Sequence, residues 1–366
     1  MRISALSIPV ILVTAFCSAG VAADAGRKSS SDLPPRKVIV GTVVQGFWGE
    51  YPGLPKRLEQ LTGLVDRLSD EARKKYGRGL DLAVLPESAV TGEITHDIVA
   101  QSAEFEGPVK EAFVRKAREC RCYIVVPMFL LENREKRLCS NVAILIGRQG
   151  EVVGMYRKLH LAVPVGSDSM EGGITPGREV RVFQTDFGKL GIQICFDMEF
   201  DYGWKELARQ GADLVVWPTQ SPGIAHPASR AMQEHYYVVS STWRHNASIA
   251  EPTGKIVAQV RPPGQILVEE LDLSYAIVPW STKLQDGEAL KEKYGDKVGF
   301  RYYEDEDQGI FWSNDPQIPI RKMLLALGLD ELDEELIRVE KLYDKAGVPG
   351  GSPAQNQSRV PRVPAH

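Results

Sequence analysis

Short apolar runs alternate along this chain with amphipathic stretches, strands and helices interleaved first and hairpins afterwards, an order that restricts it to a mixed α/β fold. The run at 37–44 predicts a strand. Leu54, Leu58, Leu61, Val65, Leu68 and Ala72 recur every three or four residues and predict a helix with one apolar stripe. Residues 82–85 read as a short buried strand, and 107–118 as a second helix with Val109, Phe113 and Ala117 inward. Apolar runs at 123–131 and 138–146 form a hairpin around 133–137, continued by a strand over 151–156. Further strands are predicted at 180–184, 191–195, 214–217, 238–242, 255–260 and 266–271, with helices near 204–210 and 227–234. The residues by themselves imply a mixed sheet covered by helices on one face, and no internal repeat is visible in them.

Both ends differ from this pattern. Residues 1–23 carry a positive start at Arg2, an apolar stretch over 8–16 and small residues over 18–23, the three parts of a secretory signal cleaved near Ala22 or Ala23. Its apolar run is too short to span a membrane, no later segment is apolar enough, and a secreted or periplasmic location is expected. Cys17 offers a lipoprotein alternative that the preceding Phe16 disfavours. A polar linker at 24–36 leads into the main domain, 37–280. An extension follows at 281–346, with charged, aromatic and amphipathic segments, and then a proline-containing tail at 347–366 expected to be disordered.

The 366 residues, 43% of them hydrophobic, suffice for one large core or two small ones. A formal charge of -4 without a long basic run argues against a nucleic-acid partner and for a small neutral substrate. Export would permit disulfides, but the hairpin register sets Cys122 and Cys139 too far apart to bridge, and Cys120 with Cys122 would close a strained ring. Buried or half-buried thiols are expected at all three.

Three ionisable residues each follow an apolar run. Cys195 ends Gly191-Ile-Gln-Ile-Cys195, where a thiol near a base or a cation that lowers its pKa could act as a nucleophile. A packed core cysteine is the alternative. Glu87 ends Leu82-Ala-Val-Leu-Pro86-Glu87 and is either a shielded general base or a capping or loop acid. Lys158 follows 152–156, and is either buried beside a carboxylate or a surface lysine whose stem alone is covered.

Together, Leu-Pro-Glu87, Tyr-Arg-Lys158-Leu-His and Gly-Ile-Gln-Ile-Cys195-Phe-Asp resemble the three signatures of the nitrilase superfamily, the carbon-nitrogen hydrolases, over about residues 38–273. Asn141, Gly150-Glu-Val-Val-Gly, Thr175-Pro-Gly177, Gly211-Ala-Asp-Leu-Val-Val-Trp-Pro218 and Pro252-Thr-Gly254 support it in order and spacing. The resemblance implies an α/β fold of the four-layer αββα sandwich type, paired into a homodimer or higher homo-oligomer. It implies that Cys195 attacks a carbonyl or nitrile carbon, that Glu87 shuttles the proton, and that Lys158 and the backbone N–H of Phe196 stabilise the negative intermediate. Glu171 falls where the family often has a second glutamate, and is either an orienter of Lys158 or a loop acid.

Two departures concern the substrate pocket. Glu199 stands where many amidases of the family have an arginine that grips a substrate carboxylate, and so disfavours an anionic substrate; Arg244, in Trp243-Arg-His245, could restore a positive group. The histidines lack a metal-binding spacing, no phosphate-binding glycine loop is present, and neither metal nor cofactor is expected. The reading is thus an exported hydrolase of a small linear amide. A nitrilase or carbamoyl-amide hydrolase is the chemical alternative, and an inactive secreted binding protein the alternative of another class.

Overall fold

The computed structural model describes residues 29–93 and 97–349, so the leader segment at 1–23 and nearly all of the tail at 347–366 lie outside the described residues. In chain order the first part holds β1 (Lys37–Val43), α1 (Leu54–Tyr76), β2 (Leu82–Val84), α2 (Ile98–Gln101), α3 (Pro108–Cys120), β3 (Tyr123–Asn133), β4 (Leu138–Ile146) and β5 (Val152–Arg157). The second part holds β6 (Phe183–Gln184), β7 (Lys189–Ile192), α4 (Asp201–Arg209), β8 (Leu214–Thr219), α5 (Ala225–Glu234), β9 (Tyr237–Thr242), β10 (Ala247–Ala250), β11 (Ile256–Val260) and β12 (Ile266–Asp272). The chain continues with β13 (Tyr275–Pro279), α6 (Glu288–Tyr294), β14 (Val298–Tyr303), β15 (Gln308–Ser313), α7 (Ile320–Leu325) and α8 (Leu332–Ala346).

Two six-stranded mixed sheets, ordered β12-β1-β2-β3-β4-β5 and β11-β10-β9-β8-β7-β6, replace the one mixed sheet that the residues alone suggest. Strand alternation builds them into a sandwich. On β1, Ile39 and Val43 pack toward α1, whereas Val38 and Val40 face the second sheet. The same rule repeats outward, giving a core between α1 and α3 and the first sheet, a core between the sheets, and a core between the second sheet and α4 and α5. These four layers are the αββα sandwich. Gly41 shows why the sequence leaves a gap on β1: a Cβ there would stand 3.0 Å from Leu68 Cδ2 on α1.

Several predicted bounds shift for local reasons. Of 180–184 only Phe183–Gln184 pairs as a strand, because the Gln210 side chain serves the backbone before it, accepting from Val182 N–H at 2.9 Å and donating to Val180 O at 2.8 Å. β7 stops at Ile192, and Cys195 opens a 3-10 turn instead of ending the strand. The hairpin register is as expected, Cys139 facing Leu131, and all four described cysteines are free.

The extension builds its own core around a sheet ordered β13-β15-β14, with β13 drawn from before residue 280. It is tied to the sandwich by Ile277 and Ile310, which join the core between the sheets, and by Arg301, which donates to the fully buried Glu251 at 2.8 Å. The polar stretch at 29–36 is docked too: Ser31 is buried against Glu331, and Arg36 pairs with Asp213 at 3.0 Å.

Candidate active site

The sheets touch where β1 and β9 run side by side, through a bridge between Val44 and Thr242. Ser241 donates its hydroxyl to Val84 O at 2.9 Å, which pins the exit of β2 to the second sheet. Glu87 lies just beyond that exit. The chain turns at once through Ser88, a non-glycine residue at φ 50°, and the Trp243 indole N–H donates to Glu87 O at 2.8 Å. From the other sheet, β7 leads to Cys195 at φ 44°, a left-handed position that costs energy in a residue with a Cβ and lifts the side chain out of the strand direction. The Trp217 indole N–H holds the Cys195 carbonyl at 2.9 Å. Cys195 itself is half-buried.

Lys158 leaves β5 opposite Asn141 of β4, donating its backbone N–H to Asn141 O at 2.9 Å. On the far side Gly177 N–H donates to Lys158 O at 2.8 Å, and a Cβ on Gly177 would stand 2.3 Å from Arg157 O, which accounts for glycine in Thr175-Pro-Gly177. Only 1% of the Lys158 side chain is exposed, so the surface-lysine alternative fails.

The ammonium donates to Glu87 Oε1 at 3.0 Å and to Glu171 Oε1. Glu171 is therefore no free loop acid: it also accepts from Asn141 Nδ2 at 3.1 Å and from Ala162 N–H at 2.9 Å. Asn141 donates a second time, to Glu87 Oε1 at 2.9 Å, while Gln220 N–H caps Glu87 Oε2 at 3.1 Å. Burial alone would drive the lysine toward neutrality, but the Glu87 and Glu171 carboxylates outweigh it and hold the ammonium well above its ordinary pKa.

The thiol differs from the sequence expectation. Burial, and then the Glu87 carboxylate, push Cys195 up to about 12, against the pull of Lys158 and a hydrogen bond with Thr219. It is therefore a neutral thiol at ordinary pH, beside the carboxylate that could take its proton. A lowered pKa is the usual route to a reactive cysteine; a partly shielded thiol with an adjacent base is the route built here.

Phe196 is partly exposed and meets Phe200 edge-on at 5.7 Å. Of the two pocket candidates, one lines a large cavity and the other lies in an exposed turn. Glu199 lies 3.7 Å from His226 and lines, with Asp201, Arg230 and Glu234, a cavity of about 750 Å³ between α4, α5 and α8 whose walls include none of Glu87, Lys158 or Cys195. Arg244 is exposed in the turn between β9 and β10. Sequence reasoning did not give Asn141, Gln220, Thr219 and Trp243 a place in the site. Only Asn141 left a signal, as an amide beside Ser140 in a strand that is otherwise apolar.

The fold and this cluster define a class: an αββα sandwich that buries an ion-paired lysine and two carboxylates beside a thiol. The carbon-nitrogen hydrolase family model matches residues 43–278, and the chain belongs to that family. Among its relatives, the omega-amidase NIT2 of Xenopus tropicalis is 24% identical over 243 residues, covering 60% of this chain and 86% of that protein. The deaminated glutathione amidase of Homo sapiens is 26% identical over 230 residues, covering 54% and 68%. Nit3 of Saccharomyces cerevisiae, a solved member of branch 10 of the nitrilase superfamily, superposes with a TM-score of 0.55 at 21% identity, over 65% of this chain and 90% of that one. An amidase from Nesterenkonia sp. gives 0.54 at 20%, over 64% and 90%.

Proposed function

We propose that this chain is an amidase that hydrolyses a small linear amide through a thioester on Cys195. The observation that carries the reading is a half-buried thiol whose pKa the neighbouring Glu87 carboxylate raises, with Glu87 itself held by Lys158 at 3.0 Å. Glu87 takes the thiol proton as sulfur attacks the carbonyl carbon, and Lys158, with the backbone N–H of Phe196, stabilises the resulting oxyanion. Glu87 returns the proton to nitrogen, the C–N bond breaks, and ammonia or an amine leaves. Water then gives its proton to Glu87 and attacks the thioester, releasing the acid and restoring the thiol. Glu171 and Asn141 hold Lys158 and Glu87 at the distances this shuttle needs.

An amide is the substrate class shared by the names of the two amidase relatives. No described helix is long and apolar enough to cross a membrane. The leader composition at 1–23 supports export, which N-terminal sequencing of the expressed protein tests by finding the chain to begin near residue 23. The activity is tested by an ammonia-release screen of wild type and Cys195→Ala against linear amides, carbamoyl compounds and nitriles. Release from amides that depends on Cys195 is expected. Release confined to nitriles or carbamoyl compounds, or none from any class, would overturn the amidase reading.

A further inference from the structure

One buried carboxylate outside the shuttle joins its two halves. Asp197 has no exposed surface, and its two oxygens accept four hydrogen bonds. Oδ2 accepts from Ile194 N–H at 2.9 Å and from the Tyr156 hydroxyl at 2.8 Å. Oδ1 accepts from His160 N–H at 2.9 Å and from His160 Nδ1 at 2.9 Å, which must carry the proton because a carboxylate only accepts. Ile194 and Asp197 bracket Cys195, and Tyr156 and His160 bracket Lys158. The Asp197 carbonyl is fixed in turn by the Trp204 indole N–H at 3.0 Å, and the His160 ring stacks on Phe200 at 4.0 Å.

We propose that Asp197 is a positioning residue, a staple that sets the left-handed Cys195 elbow at its working distance from Lys158 and Glu87. The proposal deepens the amidase reading and rests on it for its kinetic arm. Two of the four donors are backbone N–H groups on different segments, so Asp197 fixes one chain path against the other rather than merely orienting a side chain. Asparagine is the informative substitute. It keeps one acceptor oxygen and turns an N–H₂ toward two donors. One of those two is a backbone N–H that cannot reverse its polarity, so one side of the staple must open.

The test uses the full chain and three readouts: thermal midpoint, kcat and KM on an amide that wild type hydrolyses, and the rate of iodoacetamide alkylation of Cys195 followed by peptide mass. Folded Asp197→Asn is expected to lose about 100-fold in kcat, the cost of a misplacement near 1 Å, with KM changed by less than about threefold. Its alkylation rate should shift by about tenfold, because the thiol's distance to its base changes. His160→Ala should lose about tenfold in kcat, and His160→Asn, which restores a donor near Nδ1, should recover most of that. A folded Asp197→Asn with wild-type kcat and wild-type alkylation overturns the proposal. If Asp197→Asn does not fold, folded His160→Ala decides: wild-type kcat and alkylation overturn it, and a loss that His160→Asn recovers supports it. If wild type hydrolyses no amide, the amidase reading has failed separately and the alkylation arm alone decides about the staple.

Discussion

The two sheets carry the same strand plan and make opposite contributions to the site. In the first, the row Val40, Leu82 and Tyr123 runs across three parallel strands; in the second, Leu190, Leu214 and Tyr237 do the same, and an antiparallel pair follows in each. Counted along the strands from these rows, Cys195 corresponds to Gln45, and Glu87 to Thr219. The first half thus supplies charge, with Glu87 and Lys158, and the Asn141 amide that orients them, where the second supplies a thiol, a hydroxyl and the Gln220 N–H. Neither is sufficient: the lysine and its carboxylates pair within the first half but bring no nucleophile, and a lone buried thiol is inert. The chemistry exists only where the sandwich closes.

Removing the second half's part is expected to have the largest effect. Cys195→Ala should lower amide hydrolysis by at least about 10,000-fold while leaving the thermal midpoint nearly unchanged, as checked by ammonia release and calorimetry. Glu87→Gln, on the charged side, should lower kcat by about 100- to 10,000-fold. It should also lower the thiol's titration midpoint, followed by thiolate absorbance, relative to wild type, because a neighbouring negative charge that disfavours thiolate is gone. A thiol midpoint that rises in this variant would break the assignment of the carboxylate as its neighbour. Asn141→Leu removes one donor from each of Glu87 and Glu171 and should cost about tenfold in kcat.

The smallest effect on turnover is expected at Glu234, the counterpart that shows what an unpaired carboxylate costs. Glu87 has three donors on its oxygens; Glu234 on α5 is buried with none, and burial raises it from 4.5 to about 7. A raised carboxylate pKa favours folding below the unfolded value and loses that contribution as pH rises through the folded one. Stability should therefore fall between about pH 4.5 and 7 by up to about 3 kcal/mol. Glu234→Gln should be more stable than wild type at pH 8, equal to it near pH 4, and unchanged in kcat. Denaturant titrations at the two pH values check this.

What the sequence shows and hides follows the same division. The addresses of Glu87, Lys158 and Cys195 are legible because each sits where an apolar run stops, a local pattern. The second sheet and the repeated plan are not, because pairing between distant strands leaves no local periodicity, and the two rows share a leucine and a tyrosine but little else. The elevated thiol pKa is likewise illegible, since it arises from burial and from a carboxylate on the other sheet. The surroundings of Glu199 are illegible too: the turn opened by Cys195 sets it 3.7 Å from His226, at the cavity between α4, α5 and α8.

The most direct test of the central claim, that charge from one sheet drives a thiol on the other, is acid quenching of wild type during turnover of a linear amide, followed by peptide mass. The account predicts an increment equal to the substrate's acyl group on the peptide containing Cys195, and neither increment nor ammonia release in Cys195→Ala. Ammonia release that persists in Cys195→Ala, or an acyl increment on Cys120, Cys122 or Cys139 instead, would contradict it.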